Sequence, residues 1–240
     1  MAKSRSKQTS RKPAPGTRPV RWLRRWTIRF GLLAVLIVLG TVTAHRVFDP
    51  PRTFYMGQEA RRLGGIDHLW VPIEAVAPVM ARSVVAAEDA NYCLHWGFDM
   101  RAIRTAINDG GARGASTLSQ QVVKNVYLWH GRSWPRKALE AAITPVVEML
   151  WPKRRIIEVY LNVAEFDEGV FGVAAAARHY FGVTPAELTP TQAARLAAVL
   201  PDPKGRSAAT PGDWLRKRSA AILDGAAPID REGRAACFED

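Results

Sequence analysis

Across residues 30–44 the chain runs fifteen positions without a charge, and Thr41 and Thr43 are the only polar side chains among them. A run this apolar belongs in a protein core or in lipid. A bilayer core is spanned by ~20 helical residues, and residues 26–29 supply the missing turn. Arg29 can extend its charge to the headgroups, while Trp22 and Trp26 suit the membrane–water interface. We therefore expect a single-pass transmembrane anchor over residues 22–45. Its basic flank should be cytoplasmic, with everything after His45 beyond the membrane. A cleaved signal peptide is the alternative. Residues 40–44 offer small side chains for processing, but the basic segment before them is long for that role.

The formal charge of +12 invites a nucleic-acid partner, but its distribution argues otherwise. Residues 1–29 hold ten Lys and Arg and no acid, which leaves 24 bases against 22 acids, a net +2, for the remainder. The basicity belongs to a tail, and we expect no nucleic-acid binding. Residues 1–21 contain almost nothing apolar, cannot offset the entropy of ordering, and should be a disordered cytoplasmic tail. Cys93 and Cys237 are the only cysteines. One bridge or two free thiols are equally open, and no Cys/His spacing resembles a zinc site.

Residues 46–240 show no repeat and no long linker, and should form one mainly α domain. Helical spacing covers residues 75–88, and Asp99 can cap a helix over residues 100–108. Thr117 with Gln120, and Thr189 with Gln192, have capping-box spacing. Ser133-Trp134-Pro135 places a cap before a helix with Pro at its start, running toward Met149 with Pro145 as a kink. Further helices are expected over residues 155–163, 173–181 (ended by Gly182) and 191–200. A last one, capped by Thr210 with Asp213, should reach Leu223. The pattern is least defined over residues 51–72.

Four segments carry chemistry. Glu88-Asp89 follows the apolar stretch Val84-Val85-Ala86-Ala87. A carboxylate there can be partly withdrawn from water, as a general base should be, or it can belong to a solvated acidic turn; an acid at a helix C-terminus opposes the dipole, which favours the functional reading. His95 reads as a structural hydrogen-bonding histidine. Next, a glycine-rich loop through Gly114 leads into Ser116, Thr117, Gln120 and Gln121. A helix N-terminus there offers free N–H groups to a phosphate or diphosphate. Arg136-Lys137-Ala138-Leu139-Glu140 sets two cations one turn from a carboxylate. That spacing makes a surface pair or a clamp on a leaving diphosphate. In Ile156-Ile157-Glu158-Val159-Tyr160-Leu161-Asn162 the apolar residues have core spacing.

In this order, the segments resemble the peptidoglycan glycosyltransferase family, whose members include monofunctional biosynthetic transglycosylases and the N-terminal halves of bifunctional penicillin-binding proteins. The family pattern E-D-x-x-F-x-x-H-x-G appears from Glu88 with Tyr92 in place of Phe. G-x-S-T-[IL]-x-Q-Q begins at Gly114, R-K-x-x-E at Arg136 and I-[IL]-E-x-Y-L-N at Ile156. The resemblance spans roughly residues 75–205. A Lys-Thr-Gly is absent, and the only early Ser-x-x-Lys, Ser4 to Lys7, lies in the tail, so the chain looks like the monofunctional form.

The resemblance implies a lysozyme-like, mostly helical domain acting on lipid II and a nascent glycan strand. The growing strand, held by its undecaprenyl diphosphate, would be the donor, and the 4-hydroxyl of lipid II the acceptor. An α-linked diphosphate would become a β-1,4 bond, with inversion. Glu88 would be the general base and Glu140 would organise the diphosphate site. Lys137, Arg136, Lys124, Ser116, Thr117, Gln120, Gln121, Gly114 and Asn162 would line the substrate cleft. No cofactor is required by this scheme. A divalent ion, Mg or Mn, could bridge the diphosphate, but no dedicated ligand set is visible. The resemblance also implies a bacterial inner-membrane protein with a periplasmic catalytic domain, working beside other cell-wall synthesis or division proteins. Phe54, Tyr55, Met56, Leu69 and Trp70 could either dip into lipid or pack in the core. The rivals are a lysozyme-like lytic enzyme, which does not need cations around a diphosphate, and a non-catalytic scaffold of the wall machinery.

Overall fold

A computed structural model describes residues 17–110, 116–131 and 133–239. The chain divides into two compact units, residues 1–41 and 42–240. Eleven α-helices are described: α1 (Thr17–His45), α2 (Phe54–Leu63), α3 (Pro78–Glu88), α4 (Met100–Asn108), α5 (Leu118–Tyr127), α6 (Trp134–Leu150), α7 (Lys153–Val163), α8 (Val173–Phe181), α9 (Pro190–Val199), α10 (Asp213–Arg231) and α11 (Ala236–Glu239). Three short strands, β1 (Asp67–His68), β2 (Glu165–Asp167) and β3 (Val170–Phe171), complete the fold.

The first unit holds most of α1. From Val20 to His45 this helix is long and apolar enough to cross a membrane. Its 26 residues span about 39 Å at a rise of ~1.5 Å each, more than the ~30 Å hydrocarbon core. The Thr41 hydroxyl donates back to the Ile37 and Val38 carbonyls at 2.9 and 3.0 Å, so its polarity is satisfied within the helix, as lipid requires. The Arg29 guanidinium lies 5.4 Å from the Trp26 ring centre. The helix starts at Thr17, five residues before the expected anchor. Residues 17–21, expected to be disordered, are therefore helical; the tail at residues 1–16 lies outside the described residues.

In the second unit, α3, α9 and α10 pack on one another, while α5 packs on both α6 and α7. Ile156, Ile157, Tyr160 and Leu161 of α7 are buried as their spacing predicts. The caps follow the sequence at several ends. Asp99 accepts from the Arg101 and Ala102 amides, and Thr117–Gln120 and Thr189–Gln192 both close capping boxes. Two caps differ. Ser133 stands at the N-cap of α6 without a side-chain bond. Gly212, and not Thr210, is the N-cap of α10, which continues past Leu223 to Arg231. Residues 51–72 hold α2, whose Thr53 hydroxyl accepts from the Met56 amide. Strand β3 pairs with β1 in parallel and with β2 antiparallel. Gly169, at φ +72°, makes the tight turn between β2 and β3, where a left-handed residue is required. Cys93 and Cys237 form a disulfide, which resolves the choice the sequence left open.

Candidate active site

Glu88 is the last residue of α3, half-buried. Its Oε2 accepts a hydrogen bond from the Gln121 amide at 2.9 Å, and the Gln121 Oε1 accepts from the buried Tyr160 hydroxyl at 3.3 Å. Residues from three of the four segments are thus joined in one chain of hydrogen bonds that ends at the Glu88 carboxylate. Glu88 borders a cavity of about 830 Å³ with Ser116, Gln121, Pro201, Trp214, Lys217 and Arg218. A second cavity, about 430 Å³, shares Gln121 and Pro201 with the first and is also lined by Tyr55, Lys124, Asn125, His130, Glu165 and Lys204. Two adjoining spaces therefore meet beside Glu88.

Asp89, next in the chain, is buried and serves as a brace. One oxygen lies 2.7 Å from His95 Nε2, and the other accepts the Leu118 amide at the start of α5. This agrees with a structural role for His95. The Thr117 hydroxyl donates to the Gly97 carbonyl at 2.7 Å. Gly97 has φ +82°, and a Cβ there would stand 2.8 Å from the Thr144 methyl, so the chain can approach α6 this closely only as glycine. Tyr92, where the family pattern has Phe, places its hydroxyl on the Lys153 carbonyl at 2.8 Å. The added polar group is thereby satisfied.

Glu140 is only 2% exposed. It accepts from Arg136 at 2.8 Å, from Lys137, and from the Gln120 amide at 3.3 Å. Lys137 also donates to the Ser116 hydroxyl at 3.1 Å. Lys124 projects from α5 into the field of the same group. Burial lowers its pKa, Glu140 and Glu88 oppose that shift, and Arg136 and Lys137 add to it. Three cations thus gather around one buried carboxylate, within electrostatic reach of Glu88. A cluster so arranged can take up the charge of a departing diphosphate.

Three expected cleft residues, Asn162, Thr117 and Gln120, are buried and hydrogen-bonded within the protein. Asn162 is 0% exposed; its side chain accepts from the Val71 amide and donates to the Val71 and Glu158 carbonyls, each at 2.9 Å. Both N–H donors and one lone pair of that amide are used inside the protein, so it staples α7 to the segment after β1. Thr117 and Gln120 are buried in the cap of α5, and Gln120 reaches the site only through Glu140. Ser116, Gln121, Lys124, Arg136 and Lys137 lie at the cavities or the cation cluster. Gly114 lies outside the described residues.

The second cavity contains groups that the motifs did not indicate. The Tyr55 ring stacks on His130 at 3.7 Å, and the Tyr55 hydroxyl donates to Glu165 at 2.7 Å. Lys204 bonds Glu59 at 2.8 Å. Burial, reinforced by Lys124, Arg136 and Lys204, pushes the His130 pKa down to about 4, so its ring is neutral near pH 7. Burial raises the Glu165 carboxyl. Ser119 and Lys153 hold the buried Glu148, another brace beside the cleft. Tyr55 and Glu165 stand 110 positions apart, so no local pattern could have paired them. Met56, a candidate for lipid contact, is 1% exposed and belongs to the core. Trp70 is half-buried, with the Arg155 guanidinium 5.5 Å from its ring centre.

A family profile described as "Transglycosylase" matches residues 56–227, a stretch that contains both glutamates and all the lining of both cavities except Tyr55. The chain is 62% identical over 218 residues to a protein of Jannaschia sp. (strain CCS1) named biosynthetic peptidoglycan transglycosylase, covering 90% of each chain. Proteins of the same name from Xanthomonas campestris pv. campestris (strain B100) and Caulobacter vibrioides are 45% and 44% identical over 224 and 226 residues. Those matches cover 89% of both chains in the first case, and 90% of this chain and 98% of the other in the second. With the two-glutamate cleft, the helical lysozyme-like architecture and relatives aligned over nearly their full length, the chain belongs to the transglycosylase family.

Proposed function

We propose that this protein is a peptidoglycan glycosyltransferase that polymerises lipid II into β-1,4-linked glycan strands and releases undecaprenyl diphosphate. The observation that carries this is the cluster of Lys124, Arg136 and Lys137 about the buried Glu140, beside the cavity that Glu88 borders. A hydrolase needs a carboxylate pair. It has no use for three cations placed to receive a diphosphate. The two adjoining cavities also suit a reaction that must hold a donor strand and an acceptor together.

In this scheme Glu88 takes the proton of the acceptor 4-hydroxyl as that oxygen attacks the anomeric carbon of the growing strand. The bond to diphosphate breaks on the opposite face, and the configuration inverts, as in single-displacement glycosidases. The charge that builds on the diphosphate is met by Lys124, Lys137 and Arg136. Glu140 fixes two of these cations in place and so acts on the leaving group through them. Among the described residues no group of three His, Cys, Asp or Glu side chains is arranged to hold a metal ion. A Mg or Mn ion bound with the diphosphate would add positive charge beside Lys124, Arg136 and Lys137.

Both substrates carry lipid, which agrees with the apolar helix at the N-terminus. We place the anchor in the bacterial inner membrane and the catalytic domain on the periplasmic side. The disulfide supports that side, because such bonds persist in oxidising compartments. The exposed Phe54 and Leu69 remain candidates for lipid contact, and the exposed Val47 and Phe48 join them. Partners among other wall-synthesis or division proteins belong to the same proposal.

The test is polymerisation of labelled lipid II by the full-length protein in detergent or nanodiscs. Long glycan strands from the wild type, with none from Glu88→Gln, are expected. Degradation of preformed glycan without polymerisation would transfer the assignment to the lytic rival.

A further inference from the structure

The four-residue helix α11 lies beyond the stretch matched by the family profile, which ends at residue 227. A helix this short does not form by itself in water, and chain ends fray unless tied down. Here the end is tied from several directions. Cys237 is bonded to Cys93, which lies between Glu88 and His95. Phe238 is 1% exposed, with its ring 6.0 Å from Tyr92. Glu239 receives a two-pronged bond from Arg82 of α3 at 2.6 and 2.8 Å, and Arg154 donates to the carbonyls of Phe238 and Glu239. Arg82 also pairs with Asp230 at the end of α10.

The disulfide, the Tyr92 contact and the Arg82 bonds tie α11 to α3 and to the segment that follows it, while the Arg154 bonds tie it to α7, on which it also packs. That segment contains a single turn of 3₁₀ helix, Tyr92–Leu94, yet it must hold Asp89 against the start of α5 and Glu88 against Gln121. The C-terminal turn contacts this segment through Phe238 on Tyr92, and the disulfide is its covalent attachment there.

We propose that α11 is a redox-latched clasp that positions Glu88. Cys93 and Cys237 lose two protons and two electrons to form their bond, and an oxidised disulfide on a thiol–disulfide exchange protein is reduced to its dithiol. Reduction of the bond leaves α11 held only by the packing of Phe238 and the Arg82 and Arg154 bonds, and the Glu88–Asp89 turn loses the covalent brace on its alignment with α5. The clasp rests on the role of Glu88 proposed above; Cys93 and Cys237 touch no reacting atom and act through that turn.

The experiment compares full-length wild-type protein, oxidised and after reduction and alkylation, with Cys93→Ser/Cys237→Ser. It reads lipid II polymerisation and hydrogen exchange of backbone amides, below the melting temperature of each form. We expect kcat to fall about tenfold at unchanged KM on reduction, and recovery when the unalkylated reduced protein is reoxidised. Exchange should quicken at residues 85–95 and at the Leu118 amide while α9 stays protected. If the double variant does not fold, the two wild-type states carry the comparison. An unchanged kcat overturns the clasp, as does exchange that rises evenly over the domain, because the bridge is then only a staple. If the oxidised protein makes no glycan, the polymerase assignment fails, and the local exchange still decides whether the clasp exists.

Discussion

Glu88 and Glu140 are the same residue in opposite settings. Glu88 ends a helix at the edge of a cavity and has one neutral partner, Gln121. Glu140 sits in the second turn of α6, sealed from water, with two cations and an amide on its oxygens. A carboxylate that must exchange a proton with substrate has to be reachable. One that must hold cations in place does better buried, where a charge pair is less screened and its geometry is fixed. The difference teaches that position relative to solvent, and not residue type, divides the labour between them.

Substitution at each site can break this division. Glu88→Gln should lower polymerisation by about 10³-fold, within the range for loss of a general base, while the melting temperature hardly moves. A large loss of stability would mean that Glu88 is framework. Glu140→Ala should do both kinds of damage. It leaves Arg136 without its buried partner, at a cost of about 3 kcal/mol, the low end for a broken buried pair because Lys137 is half exposed. Activity should fall as well, and denaturant titration beside the lipid II assay separates the two effects. Asn162→Ala should cost about 2 kcal/mol through the Val71 and Glu158 groups it abandons. The residual activity should keep its KM; a raised KM would return Asn162 to the substrate cleft.

The smallest effect concerns the second cavity. Because the folded protein holds the His130 pKa down to about 4, the unfolded chain binds the extra proton first as pH falls. The His130 contribution is therefore fully present above about pH 6.5 and is lost progressively toward pH 4. Melting curves of wild type and His130→Gln should converge over that range. Parallel curves would show that the ring is not buried as described.

Local chemistry made part of this structure readable in advance. Caps such as Asp99, Thr117 and Thr189 act over three residues, and Gly182 ends α8 through its own left-handed backbone. Such signals are complete within a short window. The start of α1 at Thr17 was missed because composition suggested disorder, whereas a helix adjoining a long apolar helix needs no fresh nucleation. The motifs located Glu88, Glu140 and the cations, since each lies within a short, characteristic pattern. They did not show that Asn162 is buried with its amide bonded to Val71 and Glu158, because a pattern does not say whether a residue faces the ligand or the core. The partnership of Tyr55, His130, Glu165 and Lys204 exists only after α2, the end of α5, β2 and the loop after α9 have come together. No spacing along the chain encodes it.

The Gln121 amide has one further effect. Tyr160 donates to its oxygen, which leaves the nitrogen to face Glu88. The Oε2 of Glu88 is thereby engaged, and Oε1 is the oxygen left for an incoming hydroxyl. Lipid II presents several hydroxyls of similar acidity. With one open oxygen on a carboxylate held from behind, the choice among them becomes one of approach direction, so regioselectivity in the polymer would trace back to the orientation of a single side-chain amide.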